Sequence, residues 1–405
     1  MTEQMTTGQR VARARTRKGW DQATLADAMD RSVSWVTKIE NGRLPLDRAS
    51  VLAKLASVLD VEVPELTGQP YRHETAELDS GHSTIPELRL ALQQATMPGG
   101  AAMIRSREPS SLEEIAGQVA LAEKLRQDAR FSALGAILPQ IITDLTLHTA
   151  DRNASTLDRA EALMLRACHM ARVTSNLLGH HDLGWTAVQR ELVAADRVGA
   201  PELVAASAWD LCGVWLHEAS LEGAKSAALA ALDDIDEHMG SNDPALQALW
   251  GALHLRAAVS YSRLLNRSEA EAHLGEAERV AAALPPNGNV YQTQFNRVNT
   301  RIHAVEISLE LGRPRDVVSR SELVEVADIA SGERQAHYWT CRAAGMAMNR
   351  KEDKAVDALL TADRIAPQHV RNRPIVRNLV RDLRSSGRHS KGREIRALAA
   401  KMALD

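Results

Sequence analysis

The sequence predicts an all-α protein, and three observations support that fold class. Only 3% of the 405 residues are aromatic, while Ala and Leu recur along the whole chain. Apolar residues follow a helical period beyond about residue 110, with breaks every 15 to 20 residues. The apolar content of 44% is enough for globular packing, and the length favours two or three domains.

The charge and the cysteines narrow the functional classes. A net charge of −3 excludes a general polyanion binder, so any nucleic-acid surface must be local. The three cysteines have no C-x-x-C spacing, and we expect reduced thiols in helix cores. The N-terminal residues lack a signal-peptide pattern, and no run approaches the ~18 apolar residues of a membrane span. The expected location is cytoplasmic, without membrane contact.

Residues 1–66 predict a bundle of four short helices. The first begins at Thr7 and ends at Gly19. The second and third predicted helices each begin after a good N-cap residue and end at a stop signal. A stripe of apolar residues predicts a fourth helix, 47–59. In the third helix, Val33, Val36 and Ile39 have the spacing of one inward face. Two short helices separated by a tight break at 30–31 form a helix-turn-helix arrangement.

The run KGWDQATLADAMDRSVSWVTKIENGRLPL resembles the repressor-type helix-turn-helix of the XRE family. Between residues 8 and 48, nine basic residues stand against five acidic ones, which suits DNA. The resemblance implies that Glu40 pairs with Arg15 as an internal brace. It also implies that Gln22 and Asn41 contact DNA phosphates. The residues of the third helix that would face base edges are Val33, Ser34, Thr37 and Lys38. The candidate DNA-binding residues are Gln22, Arg31, Ser32, Val33, Ser34, Trp35, Thr37, Lys38, Asn41 and Arg43.

Three positions in this segment leave alternatives open. Asp30 stands at the break, where the family usually has Gly, and Arg31 stands where a buried Val is usual. The turn is therefore either looser or supplies an extra phosphate contact. Trp35 either packs against the first helix or makes an apolar contact with DNA.

Residues 67–84 are polar, with Gly, Pro and Ser, and predict a linker. Residues 85–405 predict a superhelix of paired helices, because several segments have the spacing of the 34-residue tetratricopeptide repeat. The clearest copy contains Trp339, Ala343, Met346, Ala355, Leu359, Ala362 and Pro367. A second contains Ala258, Tyr261, Ala270, Leu274 and Ala277, and weaker copies begin at 212 and 305.

The order of the two parts resembles a family of actinobacterial transcriptional regulators. It more loosely resembles the peptide-sensing quorum regulators of Gram-positive bacteria. Late segments such as SGERQAHYWTCRAAGM resemble those of the actinobacterial family. The resemblance implies a concave surface that binds peptides, proteins or small molecules, and it names no ligand.

Two lines of polar residues suggest surfaces in this second part. On a helix predicted for 292–311, a line beside the buried stripe is a tentative effector site, formed by Gln292, Asn296, Asn299, His303 and Glu306. A solvated face or hydrogen bonding between helices is the alternative. Near the C-terminus, one helical face carries arginines that are either solvated, paired with acids, or a second partner surface: Arg373, Arg377, Arg381, Arg384 and Arg388.

No catalytic, metal or phosphate-loop motif is present in the sequence, so we expect neither an enzyme nor a cofactor. The cluster His180-His181-Asp182 is better interpreted as a loop than as a metal site. The sequence predicts a homodimeric regulator that reads a palindromic operator in double-stranded DNA and responds to a small-molecule or peptide effector. The alternative is a constitutive DNA-bound scaffold that recruits a protein partner.

Overall fold

The computed structural model describes residues 5–71, 81–104, 108–151, 155–239 and 243–404, and within these ranges it contains helices and turns but no strand. The predicted all-α fold class is confirmed. The first five helices are α1 Thr7–Arg17, α2 Gln22–Met29, α3 Val33–Glu40, α4 Ala49–Leu59 and α5 Val63–Thr67. The next eight are α6 Ile85–Thr96, α7 Gly100–Ile104, α8 Leu112–Gln127, α9 Phe131–His148, α10 Leu157–Leu177, α11 His181–Val198, α12 Pro201–His217 and α13 Leu221–Asp236. The last nine are α14 Pro244–Arg263, α15 Arg267–Ala283, α16 Arg297–Glu310, α17 Pro314–Ser321, α18 Gly332–Met348, α19 Glu352–Ile365, α20 Pro367–Arg371, α21 Pro374–Ser386 and α22 Gly392–Lys401.

Local capping explains where the first helices begin. The side chain of Asp21 accepts a hydrogen bond from the backbone of Thr24, and Ser32 accepts one from Trp35. Asp30, at the break between α2 and α3, is left-handed at φ 54° and ψ 54°. An Asp therefore adopts the conformation that the family gives to Gly.

Three details of the predicted helices are corrected. The first helix ends at Arg17 rather than Gly19, and α4 begins at Ala49 rather than 47. Val33 is 45% exposed and does not belong to the inward face that its spacing suggested. The core of this bundle instead contains fully buried Val11, Leu25 and Leu55.

Helices α6 to α22, here called the helical body, stack mainly as neighbouring pairs. The predicted repeat segments coincide with the pairs α12–α13, α14–α15, α16–α17 and α18–α19. Small residues make the closest approaches, since Ala258 and Ala270 are fully buried between α14 and α15. The stack bends far enough that α18 meets α8. Ser331 Oγ donates to the Gln127 carbonyl at 3.2 Å, which joins the start of α18 to the end of α8.

The helix predicted for 292–311 begins later than expected. Tyr291, Gln292 and Gln294 are left-handed, and the α-helix starts at Arg297 with Asn296 as its N-cap. An Asn side chain satisfies an exposed backbone N–H at a helix start, which is a better use than a helix interior.

The linker and the arginine stripe also differ from expectation. Residues 72–80 of the predicted linker lie outside the described residues, but Tyr71 before them is buried. Arg377 belongs to the arginine face for which solvation, pairing with acids and a partner surface were the alternatives, but it is 2% exposed and lies 4.0 Å over the Tyr71 ring. That side of α21 therefore faces the N-terminal helices. Within the described ranges, no helix is both long and apolar enough to cross a membrane.

Candidate functional site

One hydrogen-bonded network fixes helices α1, α2 and α3 relative to each other. The carboxylate of Glu40 accepts bonds from Arg15 Nε at 2.6 Å, from Arg15 Nη2 at 3.0 Å and from Gln22 Nε2 at 2.8 Å. The side-chain oxygen Oε1 of Gln22 in turn accepts from Thr37 Oγ1 at 2.8 Å. The hydrogen bond to Glu40 raises the pKa of Arg15. The brace implied by the resemblance thus holds α3 at a fixed angle to α2.

The outer side of α3 is free for contact. The exposed candidates are Arg31, Ser32, Val33, Ser34, Lys38, Asn41 and Arg43. Trp35 is partly buried against the core of the bundle, with the Arg31 guanidinium 5.9 Å from its ring. Gln22 and Thr37 are also partly buried, and their side-chain bonds lie within the protein. The exposed residues form a polar, cationic surface at the start of a short helix, which is the geometry that reads a major groove.

Residues 7–67 match the family model described as "Helix-turn-helix domain". The segment is a helix-turn-helix domain, a DNA-binding fold. No curated protein matches the chain.

The helix-turn-helix domain docks on the helical body through a different side. Thr7 Oγ1 donates to Asn378 Oδ1, and Asn378 Nδ2 donates to the Leu46 carbonyl, each at 2.9 Å. The Ser50 N–H donates to Glu310 Oε2 at 3.2 Å. These contacts use the start of α1 and the start of α4, so the exposed side of α3 stays clear of the helical body.

A cavity of about 270 Å³ lies between the domain and the helical body. Its walls on the side of the helical body come from helices between α8 and the start of α21, which the bend of the stack brings together. The helix-turn-helix domain contributes Ala49, Leu52, Val63 and Thr67, and Gln69 follows them. The cavity is therefore bounded by both parts of the chain.

The cavity is cationic. Among the described residues that line it, the two carboxylates are Glu306 and Glu333, and the six arginines are Arg126, Arg172, Arg256, Arg263, Arg334 and Arg373. Burial lowers the pKa of the lining histidines, to about 3 for His337 and His369, so they are neutral near pH 7. Each accepts from Arg373, whose Nη1 lies 2.6 Å from His337 Nδ1 and 3.5 Å from His369 Nε2. His337 Nε2 in turn donates to Glu306 Oε2 at 3.2 Å.

The tentative effector residues divide into two groups. Asn299, His303 and Glu306 line the cavity. Gln292 and Asn296 do not, because Gln292 bonds to the end of α8 and Asn296 caps α16 while donating to the Gly288 carbonyl at 3.1 Å.

Sequence reasoning missed most of the arginines of this cavity. A signal was present, since Arg172 and Arg256 interrupt otherwise apolar stretches of helices that are buried on nearly all sides. A charged residue in such a helix is rarely buried without a partner. In the cluster His180-His181-Asp182, by contrast, the carboxylate of Asp182 forms an ion pair with Arg89.

Proposed function

We propose that the protein is a sequence-specific transcriptional regulator, in which the helix-turn-helix domain reads an operator and the tetratricopeptide-like helical body binds an effector. The exposed side of α3 is the observation that supports this proposal most, because Val33, Ser34 and Lys38 are exposed there while the domain docks through the starts of α1 and α4. In the major groove, these side chains would contact base edges, and Arg31 and Arg43 would contact phosphates.

Operator selection tests the DNA-binding part. The full-length chain is incubated with random double-stranded DNA, the bound sites are enriched and sequenced, and the affinity of the best site is measured by mobility shift. Lys38→Ala should weaken that affinity by about 1–3 kcal/mol, or roughly 5- to 150-fold. Lys124→Ala, at an exposed lysine on the helical body, is the matched control and should have no effect. Failure to enrich any site would overturn the proposal.

Dimerisation is part of the same proposal. One small helix-turn-helix domain contacts few base pairs, whereas two copies related by a twofold axis read a palindrome. Enriched sites should therefore contain two inverted half-sites about one helical turn apart. Light scattering of the protein–DNA complex should give two chains per site, and a single chain on a single half-site would contradict the dimer.

Effector control is supported by the cavity between the domain and the helical body. A concave cavity of this size suits a small molecule, whereas a scaffold that recruits a protein needs an open face. Because the helix-turn-helix domain supplies one wall, a bound molecule would change the population of docked domains and thereby the affinity for the operator.

A further inference from the structure

Two guanidinium groups converge on one position in the cavity. A Cβ atom added at Gly213 would lie 3.1 Å from Arg172 Nη1 and 3.2 Å from Arg256 Nη2. Gly213 itself lines the cavity, so both nitrogens point toward the same space. The Arg256 guanidinium also lies 3.9 Å from the centre of the Trp209 ring, which fixes its orientation.

Local acids neutralise only one member of this pair. Arg172 Nη2 forms an ion pair with Asp210 at 2.5 Å, and the same carboxylate also accepts from His169 at 2.6 Å. The Arg256 side chain forms no ion pair or hydrogen bond with any residue that the structure describes, and its Nε is buried without a partner. Burial and the charge of Arg172 lower the pKa of Arg256 to about 10, so it remains charged near pH 7.

Two adjacent cations in a low-dielectric space repel each other, and an unpaired buried charge is costly. An anion beside Gly213 removes both costs, because it accepts hydrogen bonds from both guanidinium groups. Planar guanidinium groups match carboxylate and phosphate oxygens in geometry.

A second pair of donors lines the same cavity. Arg334 Nε donates to Asn299 Oδ1 at 2.7 Å, and its Nη2 is buried without a partner. Arg373 has neutral histidines as its acceptors. Neither side chain forms an ion pair with a described carboxylate. The cavity is therefore cationic on more than one wall, and its volume of about 270 Å³ suits a compact metabolite better than a peptide.

We propose that this cavity binds a small organic anion, with a carboxylate or phosphate group held between Arg172 and Arg256. The inference rests on the proposed function in identifying this anion with the effector. The binding itself is independent of any DNA site.

The test measures thermal unfolding of the full-length chain by circular dichroism in a Hepes buffer at constant ionic strength. Inorganic phosphate and citrate are the two probes, each added as a concentration series. Arg256→Met removes the charge and keeps an apolar side chain against Trp209. Arg279→Met is the matched control, because Arg279 also lies beside a tryptophan, 5.7 Å from the Trp250 ring, but is exposed and paired with Glu276.

We expect at least one probe to raise the unfolding midpoint of the wild type and of Arg279→Met with saturation. Arg256→Met should weaken that binding by about tenfold or more, as expected for losing a charged hydrogen bond. Saturation by phosphate alone identifies a phosphate ligand, and saturation by citrate alone identifies a carboxylate ligand. Without probe, the midpoint of Arg256→Met should not fall below that of the wild type, because the lost charge was unpaired.

Three results would overturn the inference: saturation by neither probe, equal weakening in both variants, or a lower midpoint of Arg256→Met with unchanged probe binding. If Arg256→Met lacks wild-type helicity, Arg256→Gln replaces it under the same criteria. The operator affinity is then measured with and without the binding probe. Saturable binding with unchanged operator affinity removes effector control and leaves the anion site standing. Operator binding without probe binding removes the anion site and leaves the DNA-binding part of the proposed function standing.

Discussion

Removing the carboxylate of Glu40 should open the helix-turn-helix domain. Glu40→Ala eliminates three hydrogen bonds and leaves Arg15, whose side chain is only 14% exposed, without its counter-charge. Breaking a buried ion pair from one side costs about 3–5 kcal/mol, and the residual exposure of Arg15 reduces this to about 2–4 kcal/mol. Amides of α4 that exchange by opening of the domain should then exchange about 30- to 700-fold faster.

The assay is hydrogen exchange of the full-length chain, followed by mass spectrometry of peptides from α4. Glu65→Ala is the matched control. Glu65 lies 2.7 Å from Arg17, but the two side chains are 47% and 57% exposed. Such a surface pair contributes less than about 1 kcal/mol, so exchange should change by no more than about fivefold. If the two variants accelerate exchange equally, burial is not what makes the Glu40 pair stabilising.

Three further predictions concern a charge, a close contact and the thiols. Burial raises the pKa of Asp47 to about 6, so it stays protonated in the folded chain at pH values where the unfolded chain ionises. The free energy of unfolding should therefore fall as pH rises from about 4 through 6. Asp47→Asn should not show this fall, and urea unfolding at pH ~7.5 should give it a free energy of unfolding about 1–2 kcal/mol above that of the wild type. Gly8→Ala would place a Cβ atom 2.1 Å from the Ile39 carbonyl oxygen and should destabilise the domain by about 1–3 kcal/mol in thermal melting. Gly117→Ala is the control, because Gly117 is exposed in α8 with no atom within 4 Å of the added Cβ, and it should stabilise the protein slightly. Burial raises the thiol pKa values of the three cysteines, Cys168, Cys212 and Cys341, to about 12 for Cys212 and Cys341. Iodoacetamide should therefore label all three slowly in the native chain and fast in the urea-unfolded chain.

The helix-turn-helix region could be predicted from sequence because its signals are local. A cap such as Asp21 or Ser32 bonds to a backbone group three residues away, so the side chain and its partner lie in the same short window. The fold class was equally accessible from helical periodicity. The start of α16 could not be predicted in this way, because periodicity alone does not separate a helix interior from the irregular turn before it. The position of Asn296 was nevertheless a usable signal, because Asn favours caps over interiors.

The cavity could not be predicted, because its residues meet only through the bend of the stack. Arg126 on α8 and Arg373 before α21 lie nearly 250 residues apart in sequence and line the same space. The arginine stripe shows the same limit. Its period correctly placed Arg377 on one helical face, but the burial of that face depends on Tyr71, which belongs to another part of the chain.

The strength of domain docking is compatible with control by a small ligand. The contacts through Asn378 and Ser50 are hydrogen bonds worth about 0.5–1.5 kcal/mol each, so these bonds together contribute only a few kcal/mol. A ligand at 100 times its dissociation constant stabilises the state that binds it by about 2.7 kcal/mol. The hydrogen-bonded part of the docking energy is of similar size, so under the proposed function an anion with different affinities for the docked and undocked states would shift their ratio. Because the docking contacts lie at the starts of α1 and α4 and not on the exposed side of α3, such a change would move α3 without altering the helix itself.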